Sequence, residues 1–220
     1  MENKNSKNPW PTKAVMNQIY DKHLWGGEDF DFYSGEGSHN SKIIKPYLDT
    51  VITFLNSHNN TLTICDLGCG DFNIGKHLFK HTKKYIAIDI VKKLIERNKT
   101  LFKENNLEFQ CLDIAKDEWP KANCIIIRQV LQHLSNKDIK TIVKKLANYK
   151  YIIITEHIPI GNFEANKDKI TSQGIRLKQR SGVDLLKAPF NLEVIKIEQL
   201  SEIILDYNKG KITTLLYTCF

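Results

Sequence analysis

The stretch from Thr61 to Phe79 limits what this chain can fold into more than any other. Thr61 to Cys65 alternates β-branched and apolar residues, the pattern of a short buried strand, and the strand stops at Asp66. Gly68 and Gly70 then let the backbone turn sharply and allow a ligand close to the main chain. Asn73 to Phe79 carries Ile74, Leu78 and Phe79 at the spacing of a helix face. Strand, glycine turn and helix in that order predict an α/β unit. Its helix start aims free N–H groups and a positive dipole end at whatever lies above the turn.

The residues inside the turn narrow the ligand. A dinucleotide fingerprint wants G-x-G-x-x-G. Here Gly75 falls two places late for the third glycine, and the Asp66 carboxylate would repel a pyrophosphate. An acid there suits a ligand that carries an ammonium and a sulfonium. Asp66-x-Gly68-x-Gly70 after a first strand resembles motif I of the class I S-adenosylmethionine (SAM)-dependent methyltransferases. A plain strand-to-helix turn is the bland alternative.

Strand and helix signals continue to alternate downstream. Residues 1–9 are polar and read as a frayed end. Pro11 to His23 predicts a helix, with Pro11 suited to its first turn. Leu24 to Asn40 is too glycine-rich for a regular element and too aromatic for a linker. It either folds over a ligand or plugs the domain edge with its rings. Ser38 is the expected N-cap of a helix running to about Leu55. Lys84 to Ile90 reads as a second strand and Val91 to Lys103 as a helix. Leu107 to Cys111 is a third strand, closed by Leu112-Asp113-Ile114, and Cys124 to Ile127 a fourth, with the unbroken apolar run of a sheet covered on both faces. A helix from Asn136 to Asn148, capped near Ser135, leads to a fifth strand from Tyr151 to Thr155 that ends in Glu156-His157. The pattern breaks from Ile158 to Ala188, and Phe190–Gln199 and Lys211–Phe220 are the last two expected strands.

Such alternation predicts a doubly wound parallel sheet. Ligands of these sheets bind outside the carboxyl ends of the strands, where the strand order reverses. Asp66, Asp89, Asp113, Arg128, Glu156 and His157 all fall at such ends. Asp89 stands about 20 positions beyond the glycine turn, where a carboxylate can accept both hydroxyls of a ribose.

Length and composition fit one domain. At 220 residues a single α/β unit is the natural count, with N-terminal helices and a lid over 1–58, a core over 59–220 and a substrate-side insertion at 157–188. No apolar run approaches the ~20 residues of a membrane span. The start of the chain lacks the apolar core of a secretory signal, so the sequence reads as cytoplasmic. Cys65, Cys111 and Cys124 fall in expected core strands, Cys219 in the last strand and Cys69 in the glycine turn. Five thiols so placed suit a reducing compartment, and Cys65 and Cys69 lack partners at zinc spacing, so no metal is expected. The formal charge of +7 admits a nucleic-acid partner. The lysines, however, are spread singly or in pairs such as Lys92-Lys93 and Lys144-Lys145, as on solvated helix faces.

With these strand-end signals the chain resembles a class I SAM-dependent methyltransferase over about residues 10–220. Leu-Gly-Cys-Gly-Asp-Phe-Asn at 67–73 and Arg-Gln-Val-Leu-Gln-His-Leu-Ser at 128–135 are similar to bacterial small-molecule methyltransferases, of the kind that accompany surface-polysaccharide or secondary-metabolite pathways. The resemblance implies a Rossmann-like fold with a seven-stranded sheet, its last strand antiparallel, and an N-terminal helical lid. It implies that Asp66, Gly68 and Gly70 cradle the methionine part of SAM, and that Asp89 and Ile90 hold the ribose and adenine edge. It places Asp113 and Ile114 on adenine, Arg128 and Gln129 on the floor near the reacting methyl, and Tyr20, Trp25 and Gly26 in a lid. Phe72 stands where the family has a third glycine.

Methyl transfer from a sulfonium needs mainly positioning and desolvation. A hydroxyl acceptor would also use a general base, worth ~10²–10⁴-fold. His133 and His157 are the candidates, with Glu156 as base or orienter; packing or capping is the alternative for each histidine. Arg176, Lys178 and Arg180 either grip an anionic substrate or are solvated loop charges, and Tyr33 is placed with Arg176 on the substrate side. Other readings are an RNA or tRNA methyltransferase, a SAM-binding protein without turnover, and a nicotinamide enzyme, which the glycine spacing disfavours. The acceptor, O- versus N-methylation and the oligomeric state are open.

Overall fold

Seven strands form one sheet in the order β3-β2-β1-β4-β5-β7-β6 in the computed structural model, which describes residues 9–206 and 209–220. Residues 1–8 of the stretch expected to fray lie outside the described residues. The strands are β1 (Thr63–Leu67), β2 (Lys84–Asp89), β3 (Leu107–Cys111), β4 (Cys124–Arg128), β5 (Tyr151–Ile158), β6 (Lys196–Ile204) and β7 (Lys211–Thr218). β1 to β5 run parallel, and β7 is antiparallel to both β5 and β6. The order reverses between β1 and β4, which are paired through Ile64 with Cys124 and Asp66 with Ile126. The carboxyl ends of these two strands therefore flank the crevice where ligands of such sheets bind.

Period-two alternation divides the core. Cys65, Ile125, Ile127, Ile152 and Ile154 point to one face, packed with Ile19 of α1 (Thr12–Asp21) and Ile139 and Ile142 of α6 (Asn136–Leu146). Ile64, Ile126 and Ile153 point to the other, against Tyr47, Val51 and Leu55 of α3 (Ser41–Ser57). The remaining helices are α2 (Glu36–His39), α4 (Gly75–Leu78) and α5 (Lys92–Leu101). Among the described residues no helix is long and apolar enough to cross a membrane.

Several expected boundaries move. Asn40, not Ser38, caps α3 by accepting from Lys42 N–H, and Ser38 belongs to the short α2. Ser135 does cap α6, accepting from Asp138 N–H. The helix expected over Asn73–Phe79 is a single turn followed by a 3₁₀ turn at Phe79–His81, too short to build up a dipole. Phe72 is the reason: it sits at φ +64 and turns its ring inward against Tyr85, Phe102 and Phe109. The sixth strand starts at Lys196, with a register shift between Gln199 and Ser201. Phe190 and Leu192, which suggested an earlier start, instead fill the core from a loop. Cys111, expected in the core, is exposed because β3 is an edge strand, and Cys219 is half-buried just past β7.

Candidate active site

A cavity of about 400 Å³ opens above the carboxyl ends of β1, β2 and β4, within the ~300–1,000 Å³ of small-molecule pockets. Its floor is the glycine turn. Gly68 (φ +86) and Gly70 (φ +57) both line it. A Cβ on Gly68 would stand 2.4 Å from Val130 Cγ2, and one on Gly70 2.3 Å from Ser34 Oγ, so only glycine leaves the turn in place.

Asp89, at the end of β2, lines the cavity beside this turn. Oδ2 accepts from Gly70 N–H at 3.1 Å and Oδ1 from Val91 N–H at 3.0 Å. Each oxygen keeps acceptor capacity for a ligand hydroxyl. Burial pushes its pKa up to about 6 against the pull of those N–H groups. Ile90, Leu112, Asp113 and Ile114 continue the wall. Asp113 accepts from Ala115 N–H and pairs with Lys116 at 3.1 Å.

Asp66 does not line this cavity as the sequence suggested. It lies behind Gly68 in a small adjoining pocket with Tyr47, Tyr85 and Arg128. Tyr85 OH donates to it at 2.8 Å, and burial still pushes its pKa up to about 7. The reason is strand alternation: Asp66 pairs with Ala87 in the sheet and turns to the α3 face. The three acids therefore do not share one wall.

The end of β4 brings Arg128 and Gln129 into the cavity. Arg128 spends its terminal nitrogens on Gly37 O (2.5 Å) and Ser38 Oγ (3.3 Å), and its guanidinium lies 4.8 Å from the Tyr47 ring centre. Gln129 has φ +56, a strained value for a non-glycine residue at the heart of the site. Gln132 and His133 follow on a 3₁₀ turn and also line the cavity.

Glu156, His157 and Arg176 are placed differently from expectation, since none of them lines the cavity. Glu156 is buried and accepts from Leu131 N–H (3.1 Å) and Gln132 N–H (2.9 Å). Burial raises its pKa, while Arg176 and those N–H groups pull it down. Arg176 is 1% exposed and donates to the carbonyls of Leu131, Gln132, Leu134 and Lys167 and to Asn136 Oδ1. A carboxylate thus holds the N–H side of the turn and a guanidinium its carbonyl side. His157 points away from the cleft, with Nε2 on Lys209 O, because neighbours on a strand face opposite ways. Burial pushes the His133 pKa down to about 4, so its ring is neutral.

The expected lid, Tyr20 of α1 together with segment 24–40, packs over the glycine turn. Tyr20, Trp25, Ser34, Gly35, Gly37 and Ser38 line the cavity, while Gly26 and Tyr33 do not. Gly26 supplies only a turn at φ +89. Tyr33 OH donates to Glu36 and its ring stacks on His39 at 4.3 Å, so the aromatics both cover the site and seal the domain edge. Asp71 fastens the lid to the glycine turn by accepting from Ser34 N–H and bonding His39. Arg97 adds a two-nitrogen grip on Asp31 at 2.6 and 2.9 Å.

Sequence reasoning missed Gln132, Ser34 and the segment 173–175, all of which line the cavity. Ser34 lay within the glycine-rich loop already marked, but no periodicity pointed to Gln132 or to 173–175. Of the three insertion cations singled out, Lys178 alone reaches the cavity. Among the described residues no group of three or more His, Cys, Asp or Glu is placed to hold a metal.

Residues 64–149 match the family model described as a methyltransferase domain. A curated relative, the malonyl-[acyl-carrier protein] O-methyltransferase of Acetivibrio thermocellus, is 32% identical over 90 residues, 40% of this chain and 32% of its own length. The match therefore spans about a third of that relative. The N-methyltransferase NodS of Bradyrhizobium japonicum, solved with S-adenosylhomocysteine (SAH), superposes with TM-score 0.65 at 12% identity over 93% of this chain and 98% of its own. Magnesium protoporphyrin IX methyltransferase of Synechocystis, with bound SAM, gives TM-score 0.59 at 15% identity over 97% of this chain and 99% of its own. The fold is the Rossmann-like class I methyltransferase fold.

Proposed function

We propose that this chain, which carries a methyltransferase domain over residues 64–149, transfers a methyl group from SAM to a small anionic acceptor. One observation carries the reading. Asp89 and the Gly68–Gly70 turn line the same cavity as Asp113 and Ile114. That combination offers a hydroxyl-accepting carboxylate, a close approach to the main chain, and an apolar shelf ending in an acid. Those are the demands of a ribose, an amino-acid chain and an adenine ring.

SAM supplies an electrophilic methyl on a good leaving group, so the protein's task is placement and exclusion of water. Gly68 and Gly70 would hold the amino-acid portion, with Asp66 behind them in the adjoining pocket. Asp89 and Ile90 would hold the ribose, and Asp113 and Ile114 the adenine. Tyr20 and Trp25 would close over the site from the lid. On the acceptor side Lys178 takes the role expected of Arg176, because Arg176 is spent on backbone carbonyls. A small molecule suits a cavity of about 400 Å³ under a fastened lid better than a flipped nucleotide does.

The test is calorimetric titration with SAM, SAH and NAD. Binding of SAM and SAH with no NAD heat supports the reading. Binding of neither adenosyl compound overturns it. Binding without SAH production from any acceptor, or turnover with RNA that weakens steeply with salt, would move the protein to one of the other readings.

A further inference from the structure

The hydrogen bonds around Gln132 decide which nitrogen of His133 carries a proton. His157 N–H donates to Gln132 Oε1 at 3.1 Å. A backbone N–H can only donate, so this contact fixes the amide orientation. Gln132 Nε2 must then be the donor to His133 Nε2, 3.2 Å away. A neutral imidazole that accepts at Nε2 carries its hydrogen on Nδ1. Nδ1 is buried and has no hydrogen-bond partner among the described residues. The ring lines the cavity, yet neither nitrogen offers it a lone pair.

The other acids of the cavity each hold a structural hydrogen bond. Asp89 serves Gly70 and Val91, and Asp113 serves Ala115 and Lys116. Asp138 takes the hydroxyl hydrogens of Thr12 (3.0 Å) and Thr171 (3.2 Å) on Oδ2 alone, tying α1 to the insertion. Burial holds Tyr20 protonated, with its hydroxyl on Ser34 Oγ. On the wall formed by residues 173–178, Lys178 is exposed, lines the cavity and makes no hydrogen bond or ion pair among the described residues.

We infer that the acceptor half of this cavity is built for a carboxylate: His133 is a fixed Nδ1–H imidazole whose lone pair is held by Gln132, so it takes no proton from an acceptor, and Lys178 faces the site as a cation with no ion pair among the described residues. The inference rests on the methyltransferase reading. A hydroxyl or an ammonium must lose a proton to become a nucleophile, and an ammonium would also be repelled by Lys178. A carboxylate carries its lone pair at neutral pH. One of its oxygens forms the new O–CH₃ bond as the S–CH₃ bond breaks, and the bonding pair leaves with sulfur. The anionic acceptor becomes a neutral methyl ester, the sulfonium a neutral thioether, and no proton moves.

Two measurements test this. ¹⁵N-histidine labelling with long-range ¹H–¹⁵N correlation reads the tautomer directly, and the His133 signals are identified by their loss in His133→Gln. The expected pattern is an Nδ1–H ring that stays neutral from pH 5.5 to 8.5. An Nε2–H ring, or an imidazolium forming in that range, overturns the inference. This readout needs no cofactor, so it is independent of whether SAM binds. The second measurement titrates octanoate, 1-octanol and octylamine into the SAH complex after SAH affinity has been measured. Octanoate is expected to bind at least tenfold more tightly than the other two, and Lys178→Met to abolish that preference with SAH affinity unchanged. Equal or weaker octanoate binding, or a preference that survives Lys178→Met, overturns the carboxylate assignment. Failure of SAH itself to bind falls on the methyltransferase reading instead.

Discussion

Replacing Asp89 by asparagine separates what this carboxylate costs the fold from what it gives a ligand. Its folded pKa is pushed up to about 6 by burial, from an ordinary value of 3.8. A group raised in this way contributes stability that is whole below the unfolded pKa and is lost as pH rises through the folded one. The gap corresponds to ~3 kcal/mol, of which ~1.5 kcal/mol is still to be lost between pH 5 and pH 8. Asparagine does not titrate, so the variant escapes this loss. It has a single Oδ1, however, for two N–H groups, those of Gly70 and Val91. One buried donor is left facing an amide NH₂, at a cost of ~1–3 kcal/mol. Urea unfolding at pH 5 and pH 8 should therefore find the variant's deficit against the parent smaller by ~1.5 kcal/mol at the higher pH. Loss of the charged acceptor should meanwhile weaken SAH binding by ~10–100-fold in calorimetry. A deficit that is constant or larger at pH 8, or SAH affinity equal to the parent's, would refute the placement of an ionised, ligand-facing Asp89.

The remaining predictions concern the supports of the site and one glycine of its wall. Arg176→Met should lower stability in urea by ~3–5 kcal/mol, because it strips donors from three carbonyls of the 131–134 turn and leaves Glu156 facing no cation. A loss under 1 kcal/mol would instead restore Arg176 to the substrate side. Phe72→Gly would supply the third glycine of the motif that this turn resembles and relieve the φ of +64, worth ~1 kcal/mol. It also deletes a fully buried ring, worth ~3–5 kcal/mol, so the expected net is a loss of ~2–4 kcal/mol in the same assay. Gly37→Ala puts a Cβ 2.1 Å from Gln129 Oε1 and displaces that side chain. Thermal unfolding should shift little, since alanine favours the helix by up to ~1 kcal/mol, while SAH affinity falls several-fold.

What could be read from the sequence was whatever repeats along a strand or marks its end. The runs at 85–88, 124–127 and 152–154 carry the two-sided sheet in their composition alone, and the acid at 89 follows from where the first of them stops, as the acid at 113 follows from the end of the 107–111 run. Arg176 was illegible for a physical reason. A cation in a loop reads as solvated, and what buries this one is a set of carbonyls some forty residues earlier, brought beside it only by folding. Lys178, two positions on, has the same local signature and the opposite environment. Glu156 and His157 were both legible as strand-end groups, yet adjacent residues on β5 face opposite ways, so the pair could never have served one cleft. Asp66 was caught by the same alternation one strand pair over.

The turn after β4 explains why the insertion and the sheet form one site. Residues 131–134 form a buried turn that satisfies only the N–H groups of His133 and Leu134 within itself. Its N–H groups need acceptors and its carbonyls need donors, or each orphan costs a hydrogen bond's worth of desolvation. The sheet itself can supply the first, through Glu156 at the end of β5. It has nothing to supply the second. Arg176 does so from the insertion, and Lys169 adds a donor to His133 O. The charges are placed in opposite senses, carboxylate at the N–H side and guanidinium at the carbonyl side, so each is favoured by the turn it holds. Gln132 then links this turn to β5 through His157 N–H and to His133 through its amide nitrogen. A change in the insertion is thereby felt first at Gln132 and His133 on the acceptor side. Asp89 and the glycine turn, held by β1, β2 and the lid, share none of those bonds.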